Sequence, residues 1–187
     1  METIYILSRK VNVDDKVGHI NGRDYGGVHY SFSFMCPSND IRLHGLTFFG
    51  PQYAVPFSGG SVSYFAQIRM DKEVPRARTW SDYLWGIWTG TVPHTSILDG
   101  FYMSESVWKV TVKEEDAKNP ITIMLGKRVE LPAGEWIHIR FQLDGPPTER
   151  LKKEDKNRTT IWHPESKLMF HTLIGSGQLK DIHFSVI

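Results

Sequence analysis

Aromatic residues alternate with serines between Tyr30 and Phe34, and this pattern constrains the fold more than any other feature of the chain. The rings of Tyr30, Phe32 and Phe34 fall on one side of an extended backbone, while Ser31 and Ser33 fall on the other. A period of two residues is that of a half-buried β-strand, because a helix would scatter the three rings around its axis. The segment therefore predicts a strand with one face in a hydrophobic core.

The same period recurs along the chain and predicts an all-β fold. In residues 135–145, the side chains of Ile137, Ile139, Phe141 and Leu143 share one face. Sixteen glycines and ten prolines separate the short apolar runs, as is typical of sandwiches and barrels, and no segment predicts a long helix. We expect irregular structure at 71–105 and 145–159. The predicted strands are 30–34, 41–49, 63–70, 107–113, 120–131, 135–145, 168–173 and 181–187.

The apolar faces of these strands predict the composition of the core. The strongest candidates are apolar residues that alternate with polar ones in three separate parts of the chain. They are Phe32, Phe34, Leu43, Ile123, Ile139, Phe141, Phe170 and Phe184.

Length and charge limit the number of domains and the kinds of partner. A chain of 187 residues is long enough for one well-cored domain, which we expect to span residues 1–187. Its 22 basic and 21 acidic residues leave a formal net charge of +1, so no strong field attracts nucleic acid or an anionic membrane. We therefore expect no nucleic-acid partner and no membrane partner.

Cysteine content predicts a reducing compartment. Cys36 is the only cysteine in the sequence, so no intrachain disulfide can form and four-cysteine zinc sites are excluded. The first ten residues have too short an apolar stretch and too early an acidic residue for a signal peptide. We expect a cytoplasmic protein.

The sequence contains none of the motifs that usually identify an enzyme. It has no HExxH pair, no GxSxG elbow and no phosphate-binding glycine loop, so we expect no catalytic activity and no cofactor. His44, His138 and His183 lie on predicted strands, and three histidines on neighbouring strands are able to chelate a metal. We interpret them as ordinary solvent-facing side chains, because isolated histidines rarely form metal sites. A sandwich-fold hydrolase with a histidine site is a further hypothesis.

An aromatic segment at residues 79–88 is the candidate binding site. It places Trp80, Tyr83, Trp85 and Trp88 within nine positions. Aromatic side chains in a surface loop are typical anchors of protein interfaces, and they also form stacking platforms for sugar rings or nucleic-acid bases. The alternative is that the loop folds back and buries these rings as a small satellite core.

Three blocks of sequence together resemble the PHR domain, the β-sandwich of Pam/Highwire-type ubiquitin ligases and BTB–PHR adaptor proteins. They follow one another in the same order and with similar spacing as in that family, and they cover roughly half of the chain. The aromatic segment lies between the first and second blocks and resembles an insertion relative to that family. The blocks are residues 30–50, residues 121–146 and residues 168–184.

The resemblance implies an antiparallel, jelly-roll-like β-sandwich of about ten strands without catalytic activity. PHR domains recruit substrates or partners to a ubiquitin ligase whose catalytic or cullin-binding parts lie elsewhere. The resulting expectation is a non-catalytic intracellular protein-interaction module whose partner is another protein or a ubiquitin-ligase substrate. The alternative is a carbohydrate-binding sandwich that uses the tryptophan-rich loop.

Overall fold

In the residues that it describes, the computed structural model has β-strands and short 3-10 turns as its regular secondary structure, joined by turns and irregular segments. These residues are 2–8, 16–19, 30–52, 57–72, 101–151, 159–174 and 179–187. The turns lie at Ser58–Gly60 and Glu114–Asp116. The strands are β1 (Tyr5–Ser8), β2 (Lys16–His19), β3 (Tyr30–Met35), β4 (Ile41–Phe48), β5 (Ser61–Lys72), β6 (Phe101–Lys113), β7 (Ile121–Leu131), β8 (Ile137–Asp144), β9 (Thr148–Leu151), β10 (Thr159–His163), β11 (Leu168–Ile174) and β12 (Leu179–Val186).

The strands form two main antiparallel sheets. The front sheet has four strands in the order β1-β12-β4-β7, and the back sheet has six in the order β10-β11-β3-β8-β5-β6. Strands β2 and β9 form a separate antiparallel pair. Most neighbours in space are distant in sequence, which is the usual result of Greek-key connections in sandwiches.

Apolar side chains from both sheets share one hydrophobic core. Phe48 of the front sheet meets Phe141 of the back sheet, and Phe184 of the front sheet meets Phe170 of the back sheet. In each pair the ring centroids are 4.9 Å apart and the rings meet edge to face, an arrangement that aromatic pairs favour. The expected all-β, jelly-roll-like antiparallel sandwich is confirmed.

The expected core residues are also confirmed. All eight are at most 2% exposed. Phe34, Leu43, Ile139, Phe170 and Phe184 are completely inaccessible to solvent. The alternation of apolar and polar residues therefore assigned the strand faces correctly.

Two segments that we expected to be irregular contain strands. Strands β5 and β6 form one long hairpin, so that Asp71 and Lys72 pair with Tyr102 and Phe101 inside the interval 71–105. Within the interval 145–159, β9 pairs with β2. The prediction was wrong at residues 71–72, 101–105 and 148–151, because main-chain ladder hydrogen bonds continue there although the side chains no longer alternate in polarity. Residues 73–100 and 152–158 lie outside the described residues.

No helix in the described parts of the chain is both long and apolar enough to cross a membrane.

Candidate functional site

The predicted binding residues Trp80, Tyr83, Trp85 and Trp88 lie outside the described residues. Their role as a binding site therefore stays a prediction. The described part of the chain offers three other places where functional side chains meet. These are a polar cluster on the front sheet, a serine–histidine contact on the back sheet, and an exposed tryptophan–methionine pair.

The three histidines that we considered as metal ligands do not come together. His44 and His183 lie on the adjacent strands β4 and β12 of the front sheet, whereas His138 lies on β8 of the back sheet. His44 is not solvent-facing as expected, because it is only 9% exposed and its ring lies against Ser185. Within the described ranges, no three histidine, cysteine, aspartate or glutamate side chains are arranged to hold a metal ion.

A polar cluster on the outward face of the front sheet is centred on one carboxylate, that of Glu2. Its Oε1 atom accepts hydrogen bonds from Arg42 Nη1 at 2.7 Å and from Ser185 Oγ at 2.6 Å. His44 Nε2 lies 2.8 Å from the same Ser185 Oγ and 3.9 Å from Glu2 Oε1. We call Glu2, Arg42, His44 and Ser185 the Glu2 cluster. The register of β4 against β12 places Arg42 opposite Ser185, which brings these distant parts of the sequence together.

The hydrogen-bond directions in the Glu2 cluster do not suit a serine nucleophile. Ser185 has one hydroxyl hydrogen and donates it to the Glu2 carboxylate. His44 Nε2 must therefore donate its own hydrogen to Ser185 Oγ. A serine nucleophile needs the opposite arrangement, in which the imidazole nitrogen accepts the hydroxyl proton. The cluster instead presents hydrogen-bond donors to a carboxylate.

His183 belongs to a second chain of hydrogen bonds on the same face. Its Nε2 lies 2.8 Å from Thr47 Oγ1, which in turn lies 2.9 Å from Thr122 Oγ1. Burial lowers the pKa of His183 below its ordinary value, and the nearby charges of His44 and Lys180 lower this pKa further, against an opposing effect of Asp181. Neutral His183 is thus the form that suits this site.

The back sheet places a serine, a histidine and an aspartate on three neighbouring strands. Ser33 on β3 is paired in register with His138 on β8, and His138 is paired with Asp71 on β5. Ser33 Oγ lies 2.6 Å from His138 Nδ1. However, Ser33 is only 4% exposed, so a substrate has little access to its hydroxyl. We interpret the contact as a satisfied polar pair within the sheet.

An exposed apolar pair lies on the outward face of the β10–β11 hairpin, at one end of the back sheet. Trp162 and Met169 are directly opposite each other, and they are 57% and 42% exposed. Sequence reasoning missed Trp162. The side chains of residues 159–163 do alternate between the two faces of the strand, and this pattern places Trp162 and Ile161 on opposite faces.

Buried His163 anchors the turn end of this hairpin. The backbone amide of Ser166 donates to His163 Nδ1 at 3.2 Å, so the hydrogen of the neutral ring lies on Nε2 and is donated to the carbonyl of Ile6 at 3.1 Å. The ring also meets Tyr5 and Phe184 edge to face. Trp162 is therefore carried by a strand that is tied to the front sheet.

Comparisons with known proteins give little further information. No protein-family model matches the chain, and no curated protein matches it. Among solved structures, the chain is similar to the VP2 subviral particle of infectious bursal disease virus, with 12% identity, a TM-score of 0.20, and coverage of 99% of this chain and 41% of that one. It is also similar to the structure of the Gt strain of the same virus, with 12% identity, a TM-score of 0.17, and coverage of 100% and 42%. The chain spans less than half the length of these structures, and TM-scores this low do not bear on its function.

Proposed function

We propose that this chain is a non-catalytic, intracellular protein-interaction module, similar to the PHR domains that recruit substrates or partners to a ubiquitin ligase. The observation that carries the proposal is the pair Trp162 and Met169. Both are large apolar side chains, and both project from a sheet face, where they are 57% and 42% exposed.

The chemistry of this pair suits a protein partner. Tryptophan is enriched among the residues that dominate binding energies at protein interfaces. Methionine is flexible and polarisable, which allows it to adapt to irregular partner surfaces. Because the two residues face each other across one antiparallel pair, they present one continuous apolar surface.

The rigidity of the hairpin adds to this argument. Binding costs less conformational entropy when the contact residues are already ordered. Trp162 lies one residue before His163, whose ring is 7% exposed and hydrogen-bonded on both nitrogens. The backbone that carries the exposed side chain is therefore held in place before any partner arrives.

Proximity labelling in cells tests the proposal. We expect the wild-type chain to enrich ubiquitin-ligase components and Trp162→Ala to lose this enrichment, with a direct affinity loss of about 2 kcal/mol or more, or roughly 30-fold. Phe65→Ala is the matched control, because Phe65 is a 49% exposed aromatic residue on β5 of the same sheet, far from β10. Equal enrichment by all three proteins, or binding to a glycan array alone, would contradict the proposal and in the second case favour the carbohydrate-binding alternative.

The aromatic segment at 79–88 is tested separately with Trp85→Ala. If the segment contributes to the interface, this change should weaken binding by about 2 kcal/mol and leave the melting temperature nearly unchanged. If the segment is a satellite core, the same change should destabilise the fold by several kcal/mol. One thermal melt and one binding assay distinguish the two.

A further inference from the structure

We propose that Arg42, His44 and Ser185 form a carboxylate-binding site on the front sheet, and that Glu2 is its internal occupant. The ligand that the site would take from a partner is an acidic side chain carried on a peptide segment. This site is on a different sheet from Trp162 and Met169, so the two proposals can be tested in separate variants.

The donors of the site converge on a single oxygen atom. Glu2 Oε1 accepts from Arg42 Nη1 at 2.7 Å and from Ser185 Oγ at 2.6 Å. His44 stands behind Ser185 and donates to its hydroxyl, which orients the serine hydrogen towards the carboxylate. A guanidinium and an oriented hydroxyl are a donor set that selects a carboxylate, because hydrogen bonds with an ionised partner are roughly twice as strong as neutral ones.

The donor set is held by the sheet itself and not by Glu2. Arg42 and Ser185 are register partners on two strands that lie in the interior of the front sheet. Ser185 is 1% exposed and His44 is 9% exposed while Glu2 occupies the site, so a partner's carboxylate reaches the serine hydroxyl only after Glu2 has left. Arg42 is held from its other side by Glu130 Oε1, 2.7 Å from Nη2. The strand register and the Glu130 contact therefore hold Arg42 beside Ser185 without a contribution from Glu2.

Glu2 is well placed to be exchanged for another carboxylate. It precedes β1 and belongs to no strand, and its side chain is 27% exposed. The exchange replaces one carboxylate by another, so Arg42 and Ser185 keep their hydrogen bonds. A peptide is the favoured source, because the present occupant itself reaches the site from an extended segment. That segment continues past Ile4 and Ile6, which are each 47% exposed.

Nuclear magnetic resonance titration of the full chain tests the inference. The probe is the capped tetrapeptide Ser-Glu-Ser-Gly, and its Ser-Gln-Ser-Gly analogue is the matched control. In Glu2→Gln we expect saturable shifts of the His44 ring and Ser185 amide signals with the glutamate peptide only. In the wild type we expect an affinity at least about tenfold weaker, because Glu2 competes at a high effective concentration.

Further variants separate binding from folding. In the Glu2→Gln background, Arg42→Met should abolish the peptide-induced shifts, and Ser185→Ala should weaken them, while the amide spectrum away from the site stays that of the folded protein. Equal affinity of the wild type and Glu2→Gln would overturn the inference, as would equal shifts with both peptides. The peptide titration does not depend on whether Trp162 binds a partner. A negative result for one proposal therefore leaves the other proposal standing.

Discussion

The ring of Phe48 on β4 meets the ring of Phe141 on β8 edge to face, with centroids 4.9 Å apart and an interplanar angle of 62°. The contact joins β4, an interior strand of the front sheet, to β8, an interior strand of the back sheet. Phe48 and Phe141 are each 1% exposed, so their rings are enclosed on all sides by other core residues. The pair is therefore part of the contact surface on which the packing of the sandwich depends.

Phe141→Ala should lower the free energy of unfolding by about 3–5 kcal/mol, because it removes a fully buried ring and leaves a cavity beside Phe48. Urea denaturation monitored by far-ultraviolet circular dichroism measures this loss. Half-exposed Phe65, whose ring contacts Lys109 Nζ, supplies the control, since Phe65→Ala should lower the free energy of unfolding by only about 1 kcal/mol. A loss of less than about 1 kcal/mol for Phe141→Ala would show that the ring is not enclosed.

Tyr64→Phe should leave the fold intact and raise the free energy of unfolding by about 1 kcal/mol. Tyr64 is fully buried, and its hydroxyl has no hydrogen-bond partner among the described residues. Removal of an unsatisfied hydroxyl from the core relieves a desolvation cost. A lower stability for Tyr64→Phe in urea denaturation would mean that the hydroxyl has a partner in solution.

The same variant should also change the alkaline limit of stability. Burial raises the pKa of Tyr64 from 10.0 to about 12, so the folded state favours the protonated phenol. The free energy of unfolding of the wild type should decrease as the pH rises from about 10 through about 12, because Tyr64 ionises in the unfolded chain at a lower pH than in the folded protein. In unfolding measured across that range, Tyr64→Phe should show a smaller decrease than the wild type.

His183 should make the protein less stable in mild acid. Its pKa is lowered from 6.5, mainly by burial, so below about 6.5 the unfolded chain binds a proton that the folded protein resists. The contribution of His183 to the free energy of unfolding is complete above pH 6.5, and it decreases as the pH falls towards the lower pKa of the folded state. The decrease should be smaller in His183→Gln, whose side chain does not titrate. Parallel curves of unfolding free energy against pH for the two proteins would contradict this assignment.

Two glycines should respond in opposite ways to alanine. A Cβ atom on Gly50 would collide with the backbone carbonyl oxygen of Asn119, which cannot move without the chain, so Gly50→Ala should cost about 1–3 kcal/mol. Gly126 on β7 has nothing within 4 Å of the same position. Gly126→Ala should therefore be neutral or stabilising by up to about 1 kcal/mol, because alanine loses less backbone entropy on folding. Thermal melts of the two variants give the comparison, and similar melting temperatures would contradict it.

The core and most of the strands were accessible from the sequence because both depend on a local pattern, but β1, β2, β9 and β10 were not predicted. The polarity of the neighbouring residues indicates which face of the strand Phe32 and Phe34 occupy, and both are buried in the structure as expected. Strand β9 was missed because its sequence, Thr-Glu-Arg-Leu, has no apolar alternation. Its existence depends on pairing with β2, which lies far away in the chain.

The polar clusters could not be predicted in the same way, because they are products of register. Nothing near Ser185 in the sequence indicates that His44 will lie 2.8 Å from its hydroxyl. That contact requires the order of strands in the front sheet and a register shift in β4 between Leu43 and Gly45. A one-residue slip would turn these side chains to the opposite face. The expectation that His44 faces solvent failed for this reason.

The position of β12 between β1 and β4 has a consequence for how the protein is made. A ribosome delivers β4 long before β12, so while residues 49–178 are synthesised β4 lacks at least one of its two neighbours. Contacts between sequence-distant strands are slow to form, and unpaired strand edges with apolar faces invite association with other chains. We expect the nascent chain to bind holdase chaperones until residues 179–186 have emerged, and a ribosome stalled before them to carry a protease-sensitive, unfolded front sheet.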